Sequence, residues 1–193
     1  MSTAPRRPTN AELCAEADAL PEPLVGEVIG GVLYTMGRPK PAHAEVEEEV
    51  VGDLRRGPRS GGPLPSGWFI KSEVEIRFPN DEKAVPDVSG WLVERIAGHR
   101  NDNPIRITPD WVCEILSPGT RTKDVGPKRD MYARQAVRHL WMIDPDEHVL
   151  EAFALSSDGR WVLLGTWTDD ATVDVAPFEG TKLSLATWWL RDD

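Results

Sequence analysis

The stretch Trp111-Val112-Cys113-Glu114-Ile115-Leu116 sets one glutamate inside an otherwise apolar run. The run is short and is followed by the turn residues Ser117-Pro118-Gly119-Thr120, a pattern typical of a buried β-strand. An ionised carboxylate is costly to bury, so Glu114 needs a cation or a proton as its partner. The stretch therefore predicts a strand of the central sheet and, within that strand, a candidate functional residue.

Segments on both sides of this strand predict the other elements of the fold. In chain order they are a helix near 10–20, hairpin strands over 24–29 and 32–36, a helix over 43–56, strands over 68–78 and 87–93, a helix over 125–135, a strand over 139–143 and hairpin strands over 149–155 and 160–167. The segment 57–67, rich in Gly, Pro and Ser, is predicted as the most mobile loop. Helices and strands mixed around one sheet predict an α/β (α+β) fold as a single domain over 1–193, with residues 1–20 as a polar lead-in.

Composition limits the class of protein. Hydrophobic residues make up 40% of the chain and charged residues 28%, which is typical of a globular protein. No apolar stretch approaches the roughly 20 residues of a membrane helix, and no apolar signal segment opens the chain, so we expect a cytoplasmic protein without membrane contact. Cys14 and Cys113 are too few for a disulfide framework, which agrees with a reducing compartment, and no Cys/His cluster has zinc spacing.

The net charge of −10 argues against broad, nonspecific binding of nucleic acids, but the charge is unevenly distributed. Residues 115–140 carry six basic side chains against two acidic ones, namely Arg121, Lys123, Lys128, Arg129, Arg134 and Arg138 against Asp124 and Asp130. A basic stretch beside an acidic site suits a polyanionic substrate. A solvated helix face explains the same pattern equally well, and the sequence leaves both interpretations open.

Asp87, which follows Pro86 at the start of a predicted strand, and Glu114 are the strongest candidates for metal ligands. Hard divalent cations prefer carboxylate oxygens, and Mg²⁺ commonly takes one or two of them together with water and substrate phosphate. If the two strands are adjacent, both acids reach one ion, and the backbone carbonyl of Ile115 can complete the ligand set. Such an ion polarises a phosphate and activates water. In the alternative interpretation, Asp87 makes a turn hydrogen bond and Glu114 forms a buried salt bridge, for which Lys128 is a candidate partner.

Lys128 supplies the cation that phosphodiester hydrolysis needs beside two acids. Its ammonium group can orient the attacking water or offset the charge that develops on the phosphorane. Asp124 and Tyr132 lie one helical turn before and after Lys128, so the three side chains share a helix face. The alternative is an Asp124–Lys128 surface pair of little energetic weight.

Further candidates carry less weight. Glu73 and Glu75 share the polar face of the strand predicted over 68–78 and can reach the same metal, although solvent-facing charges are the simpler interpretation. Glu27 can contribute another carboxylate. His43, at a predicted helix start, fits a structural role as well as proton transfer. Ser117 is expected to make a turn hydrogen bond, because no Ser-His-acid arrangement is evident.

Several blocks of the chain resemble one family of nucleases. The segment from Pro109 to Arg121, followed by Asp124, Lys128, Tyr132 and residues 137–145, closely resembles the Uma-type restriction endonuclease family, a branch of the PD-(D/E)XK nuclease superfamily. Earlier blocks of that family are similar to residues 26–31, His43 and Pro86-Asp87-Val88. The resemblance spans about 21–185, and its Glu-Ile-Leu-Ser-Pro block is fairly specific.

The resemblance implies a restriction-endonuclease-like core, a mixed central sheet flanked by helices, and Mg²⁺-dependent cleavage of DNA with Mn²⁺ as an alternative ion. It assigns both candidate acids to the metal. The superfamily's usual lysine position, two residues after the acid, is Leu116 here. In the Uma-type pattern the lysine comes from the following helix, which points to Lys128. Gly30 and Val32 occupy hairpin positions that are often acidic in the family, so the hairpin receives no assigned role.

Three functions follow from these observations. The first is a Mg²⁺-dependent endonuclease of DNA, in which Asp87 and Glu114 bind the ion, Lys128 assists the water and residues 121–138 hold phosphates. The second is a catalytically inactive nuclease fold that binds nucleic acid or protein, as a homodimer through its C-terminal strands and Trp188-Trp189. The negative net charge favours this second function, and the set of two acids and a lysine disfavours it. The third keeps the hydrolysis but changes the substrate to RNA or branched DNA.

Overall fold

The computed structural model describes residues 6–37, 41–56 and 66–189. The helices are α1 Asn10–Asp18, α2 Pro41–Arg56, α3 Arg121–Lys123 and α4 Arg129–Arg134, with a π-helical turn over Asp124–Lys128 and a 3-10 turn over Leu185–Thr187. The strands are β1 Val25–Ile29, β2 Val32–Met36, β3 Trp68–Ser72, β4 Ile76–Arg77, β5 Lys83–Ala84, β6 Val88–Leu92, β7 Trp111–Ile115, β8 His139–Asp144, β9 Val149–Leu155, β10 Trp161–Thr168, β11 Thr172–Val173 and β12 Leu183–Ser184. Most of the predicted mobile loop, residues 57–65, lies outside the described residues. Among the described helices, none is long and apolar enough to cross a membrane.

A six-stranded sheet in the order β10-β9-β8-β7-β6-β3 forms the centre of the fold. Strand β7 lies inside this sheet with all five residues buried, which confirms the strand predicted from the sequence. Strands β7 and β8 are parallel, with Trp111 opposite His139, because the helical segment between them returns the chain to the same end of the sheet. The neighbouring pairs are antiparallel. The sheet is therefore mixed, as the resemblance implies.

A second, four-stranded sheet has the order β2-β1-β5-β4. Strands β1 and β2 form the predicted hairpin around Gly30 and Gly31, whose φ angles of 60° and 76° suit a two-residue turn with positive φ at both positions. The Gly30 N–H donates a hydrogen bond of 2.7 Å to Oε1 of Glu82, which fixes the tip of the hairpin against the body of the protein. The helix predicted near 10–20 is α1, and it packs against β1.

The prediction of one strand over 68–78 is wrong. Strand β3 ends at Ser72 and pairs with β6 in the six-stranded sheet, whereas β4 begins at Ile76 and pairs with β5 in the other sheet. Between them Glu73 adopts a left-handed backbone with φ 48°, which ends the strand and turns the chain from one sheet to the other. The strict alternation of the sequence therefore spans two strands that belong to different sheets.

The helix predicted over 125–135 begins earlier, at Arg121, and contains a π turn. The segments α3, Asp124–Lys128 and α4 follow one another without a break. Pro127 lies in the π turn rather than in the first turn of the helix. Because proline has no N–H to donate, an α-helical bond is missing at this point, and the wider turn replaces the regular α-helical pattern.

The six-stranded sheet is packed on both faces. Successive residues of β7 point to opposite faces: Cys113 and its odd-numbered neighbours join a cluster with α2, while Val112 packs with Met131 and Tyr132 of α4. Helices flanking both faces agree with the predicted fold class. Glu114, an even-numbered residue of β7, therefore projects toward α4.

The two C-terminal tryptophans belong to the core. The exposed fractions of Trp188 and Trp189 are 0% and 8%, and both residues pack in the cluster that includes α2. The indole N–H of Trp188 donates a 2.9 Å hydrogen bond to Oδ2 of Asp53 in α2. The expected dimer contact through Trp188 and Trp189 is therefore wrong.

Strand β10 is an edge strand of the six-stranded sheet. Its pairing with β9 shifts between Leu163 and Gly165, and this bulge reverses the direction of the following side chains. Trp161 and Trp167, six residues apart, consequently pack in clusters on opposite faces of the sheet. Three consecutive apolar residues remain exposed on this edge, namely Val162 at 50%, Leu163 at 51% and Leu164 at 42%.

Candidate active site

The antiparallel pairing of β6 with β7 brings the two candidate acids together. Val88 lies opposite Cys113, so Asp87 at the start of β6 meets the end of β7, where Glu114 lies. Oδ2 of Asp87 accepts a 2.6 Å hydrogen bond from the Ile115 N–H, which fixes the carboxylate beside β7. The two acids are therefore adjacent, as the predicted site requires. The Ile115 backbone contributes its N–H to this site.

Lys128 projects from the π turn onto the same group of residues. Its Nζ lies 2.8 Å from Oε2 of Glu114, 2.9 Å from Oε1 of Glu27 and 3.4 Å from the Val85 carbonyl oxygen. These three contacts account for the three N–H donors of an ammonium group. Asp124 is 3% exposed and Lys128 is 1% exposed, so the alternative of an Asp124–Lys128 surface pair is wrong.

Glu114 is a buried carboxylate with two strong partners. Its Oε2 faces Lys128, and its Oε1 accepts a 2.5 Å hydrogen bond from the Tyr132 hydroxyl. Burial, reinforced by the nearby carboxylates of Asp87 and Asp124, raises the pKa of Glu114 to about 8, although Lys128 opposes this shift. Glu114 therefore takes up a proton more readily than an ordinary glutamate.

Glu27 lies behind Glu114 and is fully buried. Its Oε1 accepts a 2.9 Å hydrogen bond from the Val85 N–H in addition to the contact with Lys128, and its Oε2 lies 2.5 Å from Nζ of Lys123. Burial raises the pKa of Glu27, but Lys128 and Lys123 outweigh burial and hold it below its usual value. Of the two carboxylates that share Lys128, Glu27 is thus the ionised one.

His43 joins the site from α2. Its Nε2 lies 3.0 Å from Oδ1 of Asp87, and its side chain is 11% exposed. Burial lowers the pKa of the imidazole, but the hydrogen bond and the charge of Asp87 outweigh burial, so the pKa lies above its usual value. His43 therefore holds one oxygen of Asp87, while the Ile115 N–H holds the other.

One cavity of about 400 Å³ is lined by His43, Asp87, Glu114 and Lys128, whereas Glu27 and Tyr132 lie outside its wall. Its walls include Asp87, Glu114 and Lys128, so the structure brings together the three residues on which the sequence-based hypothesis depends. The wall also contains the charged side chains Glu73, Lys123 and Asp124 and the hydroxyls of Tyr34, Thr35, Ser117 and Thr120. The cavity is the route by which Glu114, only 2% exposed, can meet a ligand.

The lesser candidates separate in the structure. Glu73 lines the cavity, whereas Glu75 forms ion pairs with Arg77 at 3.0 Å and Lys83 at 3.0 Å, outside the cavity wall. The Ser117 hydroxyl lies 3.0 Å from the Thr120 hydroxyl, which agrees with the expected turn hydrogen bond.

Most of the basic stretch is already paired with carboxylates. Arg121 pairs with Asp144, Arg134 with Glu82 and Arg138 with Asp110, and both lysines pair with buried glutamates. Arg129 lies over the Phe153 ring. The guanidinium side chains of Arg121, Arg134 and Arg138 are nevertheless 54%, 52% and 64% exposed. The carboxylate partners are buried, at 8%, 2% and 2% exposed, so each arginine keeps its carboxylate while its exposed N–H groups remain open to a phosphate.

The donor set fits a small divalent cation. In the described part of the chain, five carboxylates at or behind the cavity wall face two ammonium groups and one imidazole. Oδ1 of Asp124 is buried without a hydrogen-bond partner, although it lies 3.4 Å from Nζ of Lys123. No three His, Cys, Asp or Glu side chains among the described residues form a ready metal cluster. Two carboxylates completed by water and phosphate, the usual pattern for Mg²⁺, match this arrangement.

The same excess of negative charge acts outside the cavity. Burial, then the carboxylates of Glu73 and Asp87, raise the pKa of Glu47 in α2 to about 7. A bound cation would relieve this repulsion. The electrostatics of the site therefore favour a positive ligand.

On the sequence alone, Glu27 is a minor candidate, and Lys123 does not stand out from the other basic residues around it. Glu27 stands in the apolar stretch Val25-Gly26-Glu27-Val28-Ile29, so the signal that identifies Glu114, an acid inside an apolar strand, was also present there. Lys123 shows no such signal, because lysine is common on exposed helix faces.

Comparison with known proteins agrees with the fold. A crystal structure described as a putative nuclease belonging to DUF820, from Anabaena variabilis ATCC 29413, is similar over 94% of this chain and 97% of that chain, with a TM-score of 0.70 and 23% sequence identity. This likeness shows a shared fold. No curated protein matches the chain. The model of the Uma2 family, described as "Putative restriction endonuclease", matches residues 15–186. The chain, whose sequence blocks already resembled this family, belongs to Uma2.

Proposed function

We propose that this protein is a Mg²⁺-dependent endonuclease that hydrolyses phosphodiester bonds in DNA. The observation that carries the proposal is the meeting of Asp87, Glu114 and Lys128 in one cavity with an excess of carboxylates. Membership of a family described as "Putative restriction endonuclease" supports a nuclease.

Asp87 and Glu114 are the residues that would hold Mg²⁺, or Mn²⁺ in its place. Such a cation polarises the scissile phosphate and lowers the pKa of an attacking water molecule. His43 and the Ile115 N–H keep the Asp87 carboxylate in position through their two hydrogen bonds. The Tyr132 hydroxyl does the same for Oε1 of Glu114.

Lys128 acts directly on the reacting groups. Its ammonium group lines the cavity beside Glu114, where it can donate a hydrogen bond to the attacking water or to the phosphate oxygen on which charge develops. The pKa of Lys128 lies well above its usual value because Glu114 and Glu27 outweigh the effect of burial, so the group stays charged. Exposed guanidinium groups of Arg121, Arg134 and Arg138 hold the DNA backbone further from the cavity.

Cleavage of supercoiled plasmid DNA tests the proposal. The purified protein with Mg²⁺ or Mn²⁺ should nick the plasmid, and EDTA should stop it. Asp87→Asn and Glu114→Gln keep the shape of each side chain and should abolish nicking while the circular dichroism spectrum stays unchanged. Full activity in either variant would remove that residue from the proposed site. Cleavage of RNA in preference to DNA would change the substrate and leave the site assignment intact.

A catalytically inactive binding protein is the second candidate. The observation that favours it is that all three donors of Lys128 and both oxygens of Glu114 already have partners within the chain. Calorimetric titration with Mg²⁺ separates the two candidates, because a scaffold without a cation site shows no heat that depends on Asp87 and Glu114.

The proposal includes a homodimer formed by pairing of two β10 strands. Strand β10 is an edge strand with Val162, Leu163 and Leu164 exposed, and its eight residues carry no charge in a protein of net charge −10. Two copies can approach here without repulsion between like charges. An antiparallel pair of identical edge strands also satisfies the twofold symmetry of a dimer.

A further inference from the structure

Glu27 connects strand β1 to Val85 and to the helical segment that carries Lys123 and Lys128. Its carboxylate belongs to β1, accepts a hydrogen bond from the Val85 N–H at 2.9 Å, and contacts the ammonium groups of Lys128 at 2.9 Å and Lys123 at 2.5 Å. The side chain is 0% exposed and is absent from the cavity wall that its two lysines line. Every contact of this carboxylate therefore points to neighbouring groups of the protein and away from the space a ligand would occupy.

The π turn explains how one carboxylate reaches both lysines. Lys123 and Lys128 are five residues apart, which in a regular α-helix places side chains well away from each other around the axis. The π turn over Asp124–Lys128 has i to i+5 hydrogen bonding, so residues five apart come closer to the same face. The unusual turn and the buried glutamate on β1 thus belong to one arrangement.

Glu27 and Glu114 compete for the same ammonium group. Nζ of Lys128 lies at nearly equal distances from the two carboxylates, 2.9 Å and 2.8 Å. A cation drawn to Glu114 weakens the contact between Glu114 and Lys128. Glu27 and the Val85 carbonyl oxygen then remain as the groups that hold the lysine.

We infer that Glu27 is a positioning residue that holds Lys128 by the cavity and, by sharing its charge, leaves Glu114 available to a divalent cation. This inference rests on the proposed function. In this inference Glu27 does not contact the cation. The sequence analysis, by contrast, considered Glu27 as a further carboxylate ligand. When Glu27 loses its charge, Lys128 has Glu114 as its remaining carboxylate and competes with the cation for it. Cation affinity then falls although the altered side chain lies outside the cavity.

The test measures Mn²⁺ affinity by calorimetry in Glu27→Gln and in a matched control, Glu82→Gln. Glu82 is also buried, at 2% exposed, and it accepts hydrogen bonds from Gly30 of the same hairpin and from Arg134 of the same helical segment, outside the cavity. We expect about tenfold weaker Mn²⁺ binding in Glu27→Gln, the scale of effect typical for residues that orient metal ligands. We expect unchanged Mn²⁺ binding in Glu82→Gln, whatever either variant does to thermal stability.

A charge-balanced second variant guards against loss of folding. Glu27→Gln combined with Lys123→Gln removes one negative and one positive charge together, and Lys128 still lacks its fixed anionic partner. Because Lys123 lines the cavity, the double variant is compared with Lys123→Gln alone, and it should bind Mn²⁺ about tenfold more weakly than that variant. Equal affinities within each of the two comparisons would overturn the inference, as would equal losses in Glu27→Gln and Glu82→Gln.

Failure of the inference is distinguishable from failure of the proposed function. Binding of Mn²⁺ with the expected loss in Glu27→Gln, but without cleavage of any plasmid, overturns the nuclease and supports the positioning role. Cleavage together with unchanged Mn²⁺ affinity in Glu27→Gln does the reverse. An unmodified protein that binds no Mn²⁺ overturns both.

Discussion

The ammonium group of Lys128 lies 2.8 Å from Oε2 of Glu114, and each of the two side chains is 2% exposed. Taken alone, this contact is a buried salt bridge, which would give Glu114 a purely structural role. The same ammonium group also lies 2.9 Å from Glu27, so one lysine serves two carboxylates. Lys123 offsets the charge of Glu27 at 2.5 Å, but Asp87 and Asp124 add two further carboxylates near Glu114, so negative charge remains in excess. The surplus at Glu114 requires a proton or a cation, which is why the salt bridge and the proposed cation site are compatible.

Replacing Glu114 with Gln should stabilise the protein at high pH. The pKa of about 8 for Glu114 in the folded state exceeds its ordinary value of 4.5, so between these pH values the folded state binds a proton that the unfolded chain has lost. The contribution of Glu114 to the free energy of unfolding therefore falls as the pH rises from 4.5 to about 8. Without divalent cations, we expect Glu114→Gln to change the free energy of unfolding little at pH 5 and to raise it by on the order of 2 kcal/mol at pH 9. Urea unfolding at both pH values checks this, and an equal loss of stability at both contradicts it.

Cation binding should compete with the proton on Glu114. Below pH 8 a cation must displace that proton, so Mn²⁺ affinity is expected to rise by up to about tenfold per pH unit from pH 6 to pH 8 and then to level off. Calorimetry in two buffers with different ionisation enthalpies counts the protons released. Affinity that is independent of pH in this range would contradict the competition.

Replacing Lys128 with Met should separate catalysis from cation binding. The ammonium group is proposed to act on water or phosphate and is not a cation ligand, so we expect kcat to fall by about a hundredfold. Mn²⁺ affinity should be maintained or increase, because Lys128 no longer competes for Glu114. Plasmid cleavage rates and calorimetry measure the two effects. A large loss of Mn²⁺ affinity in this variant would mean that Lys128 supports the cation site.

The convergence of Asp87 and Glu114 could be predicted because both signals are local. Each acid lies at or within an apolar strand, and antiparallel pairing of two neighbouring strands is enough to bring them together. The contact of Lys128 with Glu114 also follows from chain order, since a helix after β7 must pack on one face of the sheet. The resemblance to the nuclease family pointed to the same lysine.

Other features depend on distant contacts that leave no local pattern. Glu73 follows β3 and has a positive φ angle. A glycine would indicate such a backbone conformation in the sequence, but a glutamate does not. The pairing of Glu27 with Lys123 joins residues 96 positions apart. The π turn replaces a regular helix around Pro127, where the sequence alone fits an ordinary first helical turn. In each case the tertiary arrangement decides the local structure.

Replacing Trp188 with Ala should destabilise the protomer rather than a dimer. The indole is fully buried, packs with Trp141 and Trp189, and donates a hydrogen bond to Asp53. Loss of a large core side chain leaves a cavity and costs about 3–5 kcal/mol. Urea unfolding measures this cost, and light scattering measures the mass of the native particle. A change in mass with unchanged stability would restore Trp188 as an interface residue.

Replacing Leu163 with Lys should prevent the proposed homodimer. Leu163 is 51% exposed on the edge strand β10, and a lysine there in both copies would place two like charges in the paired strands. Val32→Lys is the matched control, because Val32 is 48% exposed on β2, the edge of the other sheet. Light scattering at several concentrations should show a dimer for the unmodified protein and for Val32→Lys, and a monomer for Leu163→Lys. A monomer in all three samples excludes the dimer, whereas a dimer that tolerates Leu163→Lys but not Val32→Lys moves the interface to the four-stranded sheet.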